Sequence, residues 1–196
     1  MDKCTQCRRF GAKLFLKGER CVSTKCALTR RNYKPGIHGP KSRPGRKSEY
    51  GLQLLEKQKA KTAYGLREQS FIRIFKEAAR AKENTSEELF RLLETRLDNC
   101  VYRLGWAASR SQARQLVLHR KIKVNDKIVN IPSAQVKAND TVTPKEAKVI
   151  NVAKVSVPAW LKLEEKNLKA KVARLPQKED IETDLDGQLI IEFYSR

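Results

Sequence analysis

The sequence predicts an α+β protein built in parts: a metal-pinned amino-terminal knuckle with a basic arm, a helical domain, and a small α/β module of two helices followed by an antiparallel hairpin or sheet. Three observations predict it. Four of the five cysteines fall in two close pairs near the amino terminus. Helical periodicity runs through the middle of the chain, and after His119 it gives way to alternation of apolar and polar residues. The predicted divisions are 1–48 for the knuckle and arm, 49–88 for the helical domain, 89–155 for the α/β module, and 156–196 for a tail that packs back on the body.

The four cysteines read Cys4-x2-Cys7-x13-Cys21-x4-Cys26. Two close pairs joined by a short loop can supply four thiolates to one tetrahedral ion. The large apolar residues between them are Phe10, Leu14, Phe15, Leu16 and Val22, too few to close a core unaided. Structural zinc contributes on the order of 10 kcal/mol to folding such a piece. All-thiolate ligation equally suits an iron–sulfur cluster. A disulfide framework fits less well, because the start Met1-Asp2-Lys3-Cys4 offers no secretory signal and a reducing setting is expected. Cys100 stands apart on a helical pattern beside Leu97, Val101 and Leu104 and reads as a core residue.

Charge narrows the function classes. The 196 residues hold 42 Lys and Arg against 22 Asp and Glu, a formal net charge of +20. No run approaches the roughly 18 apolar residues of a membrane helix. Residues 1–50 carry 14 basic and 3 acidic side chains, net +11, and residues 89–147 carry 11 and 5, net +6. An excess of this size repels itself unless an anion neutralises it, and phosphate is the expected partner. Arg8, Arg9, Lys13, Lys17, Arg20, Lys25, Arg30 and Arg31 decorate the knuckle. From Asn32 to Ser48, three Pro, three Gly and five basic residues leave no periodicity, so this arm is expected to order on nucleic acid. His38, between glycines, reads as a loop or contact residue.

In the middle, Leu52, Leu55, Phe71, Ile74, Phe75 and Ala78 recur on helical faces. Thr85-Ser86-Glu87-Glu88 reads as a capping box opening one helix that carries Leu89, Phe90, Leu93, Leu97, Val101 and Leu104 and stops at Gly105. Ser109-Arg110-Ser111-Gln112 opens a second helix, which places Arg110 and Arg114 one turn apart on one face. Then Ile122 and Val124, an Asn125-Asp126 pair, and Ile128 predict a hairpin. This arrangement gathers Arg96, Arg103, Arg110, Arg114, Arg120, Lys121 and Lys123 into a phosphate-facing patch. In the tail, residues 158–175 read as a helix with Trp160, Leu161 and Leu168 partly buried. Glu179, Asp180, Glu182, Asp184 and Asp186 read as an acidic patch for a basic protein neighbour or as a solvated loop, and the ending Leu189–Tyr194 as a strand.

These residues carry a resemblance. Leu93-Glu94-x-Arg96-Leu97-Asp98-Asn99-x-Val101-Tyr102-Arg103-Leu104-Gly105, with Ser109-Arg110-x-x-Ala113-Arg114-Gln115-Leu116-Val117-x-His119, Val124-Asn125 and Val129-Asn130-Ile131-Pro132, resembles the RNA-binding module named after ribosomal protein S4. The cysteine spacing, Pro35-Gly36-x-His38-Gly39, Tyr50-Gly51-x-Gln53-Leu54, Glu56-Lys57-Gln58-Lys59 and the ending Leu189–Arg196 are similar to the bacterial-type S4 family itself, in its four-cysteine form. Arg120 and Asp126 stand where many members have Gly. The resemblance implies a binder of small-subunit rRNA that acts early in assembly of the subunit body, affects decoding accuracy and neighbours other small-subunit proteins. It implies a ribosome-bound chain, bacterial or organellar, that is no homo-oligomer. It adds Asn99, Ser109, Gln115 and His119 to the RNA contacts, and puts Lys41, Arg43, Arg46 and Lys47 near the channel by which messenger RNA enters. Some members also repress their own message, and an assembly factor built on the same module is the alternative.

The sequence argues against an enzyme. An RNA-modifying enzyme would need a catalytic domain beside the module, and no glycine-rich phosphate loop, Ser-His-Asp order or H-E-x-x-H pattern is present. A zinc-dependent DNA-binding regulator would show dimerisation heptads or an isolated recognition helix, and neither is evident.

Overall fold

The structure is a computed structural model that describes residues 2–41, 48–81, 84–146, 156–164, 168–181 and 184–195. It divides into two units. One comprises residues 1–71 and 184–196, the other 72–183.

The first unit is helical where it is described. Asp2 caps α1 (Lys3–Phe10) by accepting from the Cys4 N–H, and Gly11 ends it at φ +69°. Two single-turn helices follow, α2 (Glu19–Val22) and α3 (Ala27–Arg30). Ser48 caps α4 (Glu49–Ala63), and α5 (Glu68–Ala78) begins in this unit. The loop between α3 and α4 depends on Gly39, where an added Cβ would lie 1.9 Å from the Lys34 carbonyl oxygen.

The ending is a helix, α9 (Gly187–Tyr194), and the expected strand is corrected. Asp186 accepts from the Gln188 and Leu189 N–H groups and starts it, and packing on α4 overrides the β preference of its Ile and aromatic residues. The buried face of α4 also differs from expectation. Leu52 is exposed, whereas Gln53, Glu56 and Lys57 are buried. Lys57 Nζ donates to Glu68 at 2.6 Å and lies 4.5 Å from the centre of the Phe193 ring, so its charge is doubly satisfied. Gln53 donates to Glu192 at 3.1 Å, and Glu56 accepts from the Asp186 N–H.

The second unit sets three helices and a sheet around an apolar core. The capping residue of α6 (Thr85–Glu94) is Asn84, one position before the expected box. The single helix expected from Thr85 to Leu104 is broken. Thr95 Oγ1 donates back to the Arg91 carbonyl, and the Leu97 N–H turns to the Ala134 carbonyl, so α7 (Leu97–Arg103) starts anew. Gly105 follows at φ +72°, and Ser109 caps α8 (Arg110–Leu118) as expected.

The hairpin of β1 (Ile122–Val124) and β2 (Lys127–Ile128) turns on Asn125 and Asp126 at φ +48° and +64°, the positive angles that such a turn demands. The antiparallel sheet runs β2-β1-β3-β5-β4, with β3 (Thr141–Pro144), β4 (Leu161–Glu164) and β5 (Lys169–Val172). Residues 158–175 are therefore not the expected helix. Leu161-x-Leu163 and Ala170-x-Val172 alternate with polar residues, and Leu163 pairs with Ala170. Leu97, Cys100, Val101, Trp106, Ala113, Val117, Ile122, Val142, Trp160 and Val172 form one buried cluster, Cys100 among them as expected. Burying each of the two Trp side chains contributes about 4–6 kcal/mol in area terms.

Candidate nucleic-acid interface

The α7–α8 pair positions the central cations, and it does so through carboxylates. Arg96 donates Nε and a second guanidinium nitrogen to Asp98, at 3.0 and 2.7 Å. Arg103 makes the same bidentate contact with Glu94, at 3.0 and 2.9 Å. The Asn99 amide donates to Glu94 Oε2 at 2.8 Å and to the Glu94 carbonyl at 3.0 Å. These groups are inside: Arg96 is 3% exposed, Asn99 2% and Arg103 9%. They were expected among the surface RNA contacts, and the structure corrects this. A bidentate carboxylate consumes their charge and donors, and they brace the surface from below.

Two of the expected cations stand on top of this network. Arg110 donates Nε to Asn99 Oδ1 at 2.8 Å and lies flat over the Tyr102 ring, 4.6 Å from its centre. Arg114 reaches Asp98 at 3.4 Å while its side chain stays 47% exposed. The network thus fixes the direction in which each guanidinium meets solvent, which lowers the entropy lost when a phosphate binds. Gln115, His119 and Arg120 are exposed along and just beyond the same helix, with Ser109 half-buried at its cap and Lys121 half-buried at the start of the hairpin. Arg120 holds φ +58°, a conformation that L side chains rarely adopt. Sequence reading missed the role of Glu94, Asp98 and Tyr102. Their signal was the charge alternation Glu94-x-Arg96-x-Asp98, too short-range to count as a surface pattern.

In the first unit Arg9, Lys13, Arg30, Arg31 and Lys41 are exposed as expected. Arg8 is committed locally: it donates to the Tyr33 and Lys34 carbonyls and stacks on the Tyr33 ring. Arg43, Arg46 and Lys47 lie outside the described residues. The acidic residues are not one patch. Asp180 is paired bidentately with Arg174 at 2.6 and 2.9 Å, Asp186 caps α9, Glu179 and Asp184 are exposed, and Glu182 lies outside the described residues.

Cys4, Cys7, Cys21 and Cys26 line one small cavity, with Cys4 half-buried and the other three buried. The Lys17 N–H donates to Cys21 Sγ at 3.3 Å. Burial pushes the Cys7 thiol up, whereas backbone N–H groups of Thr29 and Leu28 pull the Cys26 thiol down. Among the described residues no group of three or more Cys, His, Asp or Glu is arranged to hold a metal ion. None of the described helices is long and apolar enough to cross a membrane.

A helix pair braced by buried ion pairs, presenting directed guanidiniums beside a twisted hairpin and sheet, defines a nucleic-acid-binding protein of α+β class. Comparison with known proteins agrees. Residues 1–94 match the family described as ribosomal protein S4/S9 N-terminal domain, and residues 95–142 match the S4 domain. The chain is 52% identical to the small ribosomal subunit protein uS4 of Dictyoglomus turgidum, over 98% of this chain and 96% of that protein. Identity is 51% to the protein of the same name from Heliobacterium modesticaldum and 49% to that of Natranaerobius thermophilus, with the same coverage. The chain belongs to the uS4 family of ribosomal proteins.

Proposed function

We propose that the chain is a structural constituent of the small ribosomal subunit that binds small-subunit rRNA directly and catalyses nothing. The observation that carries this reading is α8, where Arg110 and Arg114 are held by Asn99 and Asp98 from a buried network and aimed outward beside Gln115, His119 and Arg120. Such an array contacts backbone phosphates and reads RNA mainly by shape. Replacing Arg110 and Arg114 with Ala is expected to weaken rRNA binding and to flatten its log–log salt dependence by about 0.9 per lost phosphate contact on duplex RNA. An unchanged slope would remove both residues from the interface.

The finer reading follows family likeness. The chain nucleates assembly of the subunit body and influences decoding accuracy. The basic arm, represented among the described residues by Lys34 and Lys41, lies along the path of messenger RNA. Exposed Glu179 and Asp184 suit basic ribosomal neighbours, and the chain acts as a single copy. Cys4, Cys7, Cys21 and Cys26 would hold one structural zinc ion, or an iron–sulfur cluster. Support comes from their sharing one cavity and from the N–H donors directed at Cys21 and Cys26, which suit thiolates. An ion there would tie together a segment short of apolar core. Elemental analysis of the native protein tests it: one zinc and no iron per chain is expected, and the absence of both would overturn it.

A further inference from the structure

Beside the cysteines lies a second cavity, of about 320 Å³, and its lining is almost entirely cationic. Arg20, Lys25, Arg30 and Arg31 line it, and the side chains of all four are exposed with no hydrogen-bond or ion-pair partner among the described residues. The remaining charges there are already matched. Asp2, the one carboxylate in the lining, pairs with Lys17 at 2.9 Å, and Arg8 is spent on the Tyr33 and Lys34 carbonyls. The Thr5 hydroxyl adds a neutral donor.

The contrast with the second unit is informative. There, Arg96 and Arg103 each have a carboxylate of their own, at hydrogen-bonding distance. Here four unmatched cations face one concavity, and their mutual repulsion is relieved only by an anion from outside the chain. The cavity is concave, so one anion can meet several donors at once, which a flat lysine-rich face does not allow. Three of the four are guanidiniums, whose forked donors match the oxygens of a phosphate. The walls are also tied down, since Cys4, Lys17, Arg20 and Ala27 line this cavity and the thiol cavity alike.

We infer that this cavity is a discrete phosphate-binding site, and that its occupant is a backbone phosphate of RNA. The inference deepens the proposed function and rests on it for the occupant, though not for the chemistry of the site. It adds Arg20 and Lys25 to the phosphate contacts and makes Arg30 and Arg31 members of a pocket.

Two arms test it on the full chain. In the first, inorganic pyrophosphate is titrated while the arginine Nε–H signals are followed by NMR. Saturable shifts at Arg20, Arg30 and Arg31 are expected at about tenfold lower concentration than at the exposed Arg67, which lies outside the cavity. Equal response at all exposed arginines would overturn the site. In the second arm, Arg20→Gln, Arg30→Gln and Arg31→Gln are combined and rRNA binding is measured against salt. A drop in affinity of about tenfold and a slope shallower by about one phosphate contact are expected. If pyrophosphate binds here but the triple variant binds rRNA as the parent does, the site serves a free phosphate compound and RNA as occupant is overturned. If that variant is silent while replacing Arg110 and Arg114 weakens binding, the inference fails and the proposed function stands. Unchanged circular dichroism of the triple variant excludes a loss of fold, which is not expected from replacing exposed side chains.

Discussion

The two units carry positive charge in opposite ways. In the second, the arginines of α7 are matched inside the protein, Arg96 by Asp98 and Arg103 by Glu94, and an apolar cluster with two buried Trp side chains surrounds them. In the first, the cations around the cysteines are mostly unmatched, and even the buried face of α4 is polar, with Lys57 held by Glu68 and the Phe193 ring. The same residue type thus does two jobs. A guanidinium with its own carboxylate becomes scaffold, while one without it remains free for an external anion. Net charge alone does not separate the two.

The comparison can be broken or sharpened by experiment. The largest effect is expected from removing the metal. With the ion stripped by a chelator, the cysteine segment of the first unit should lose its amide-exchange protection, on the scale of about 10 kcal/mol for a structural zinc site. Protection of the second unit should persist, since its core contains no part of the cysteine cluster. Equal loss in both would break the contrast.

Next comes Glu94→Gln, which leaves Arg103 buried without its counter-charge. Denaturant unfolding of the second unit should show a loss of about 3–5 kcal/mol. A loss under 1 kcal/mol would mean that the bracing network is not structural.

A smaller effect is expected in the first unit on acidification. Burial opposes ionisation of Glu68, but hydrogen bonds from Lys57 and Lys61 outweigh it and hold the carboxyl at about 2, below its ordinary 4.5. A depressed carboxylate stabilises the fold fully above pH 4.5, and that contribution disappears as pH falls from there through about 2. In Glu68→Gln this part of the acid dependence should vanish. An identical acid profile would locate the titration elsewhere.

The smallest effect is a gain. Arg120→Gly relieves a side chain held at φ +58° and should stabilise the second unit by about 0.5–1 kcal/mol. It should weaken rRNA binding at the same time, because a cation is removed from the edge of the interface. Stability and binding moving in the same direction would contradict its place there.

How much of this was legible in the sequence depends on the range of the interactions involved. The Ser109 cap, the stop at Gly105 and the Asn125-Asp126 turn are decided within a few residues, and each formed as the sequence indicates. The break between α6 and α7 was not legible, because it is made by pairing with Ala134 and Gln135, some forty residues away. The tail was inverted for a related reason. Residues 161–172 alternate only when read as two short strands with a turn, and the Ile- and aromatic-rich ending becomes helical only through its Asp186 cap and its packing on α4. At the interface, the residue types were legible and their exposure was not. Arg96 and Arg103 look like Arg110 and Arg114 until the carboxylates of Asp98 and Glu94 are seen to claim them.

Sedimentation of native small subunits through a gradient at high salt tests the central claim most directly. The account predicts that the chain stays with the subunit at one copy each, because many phosphate contacts and protein neighbours hold it together. Release to the top of the gradient from otherwise intact subunits would contradict it and point to a loosely bound assembly factor or repressor.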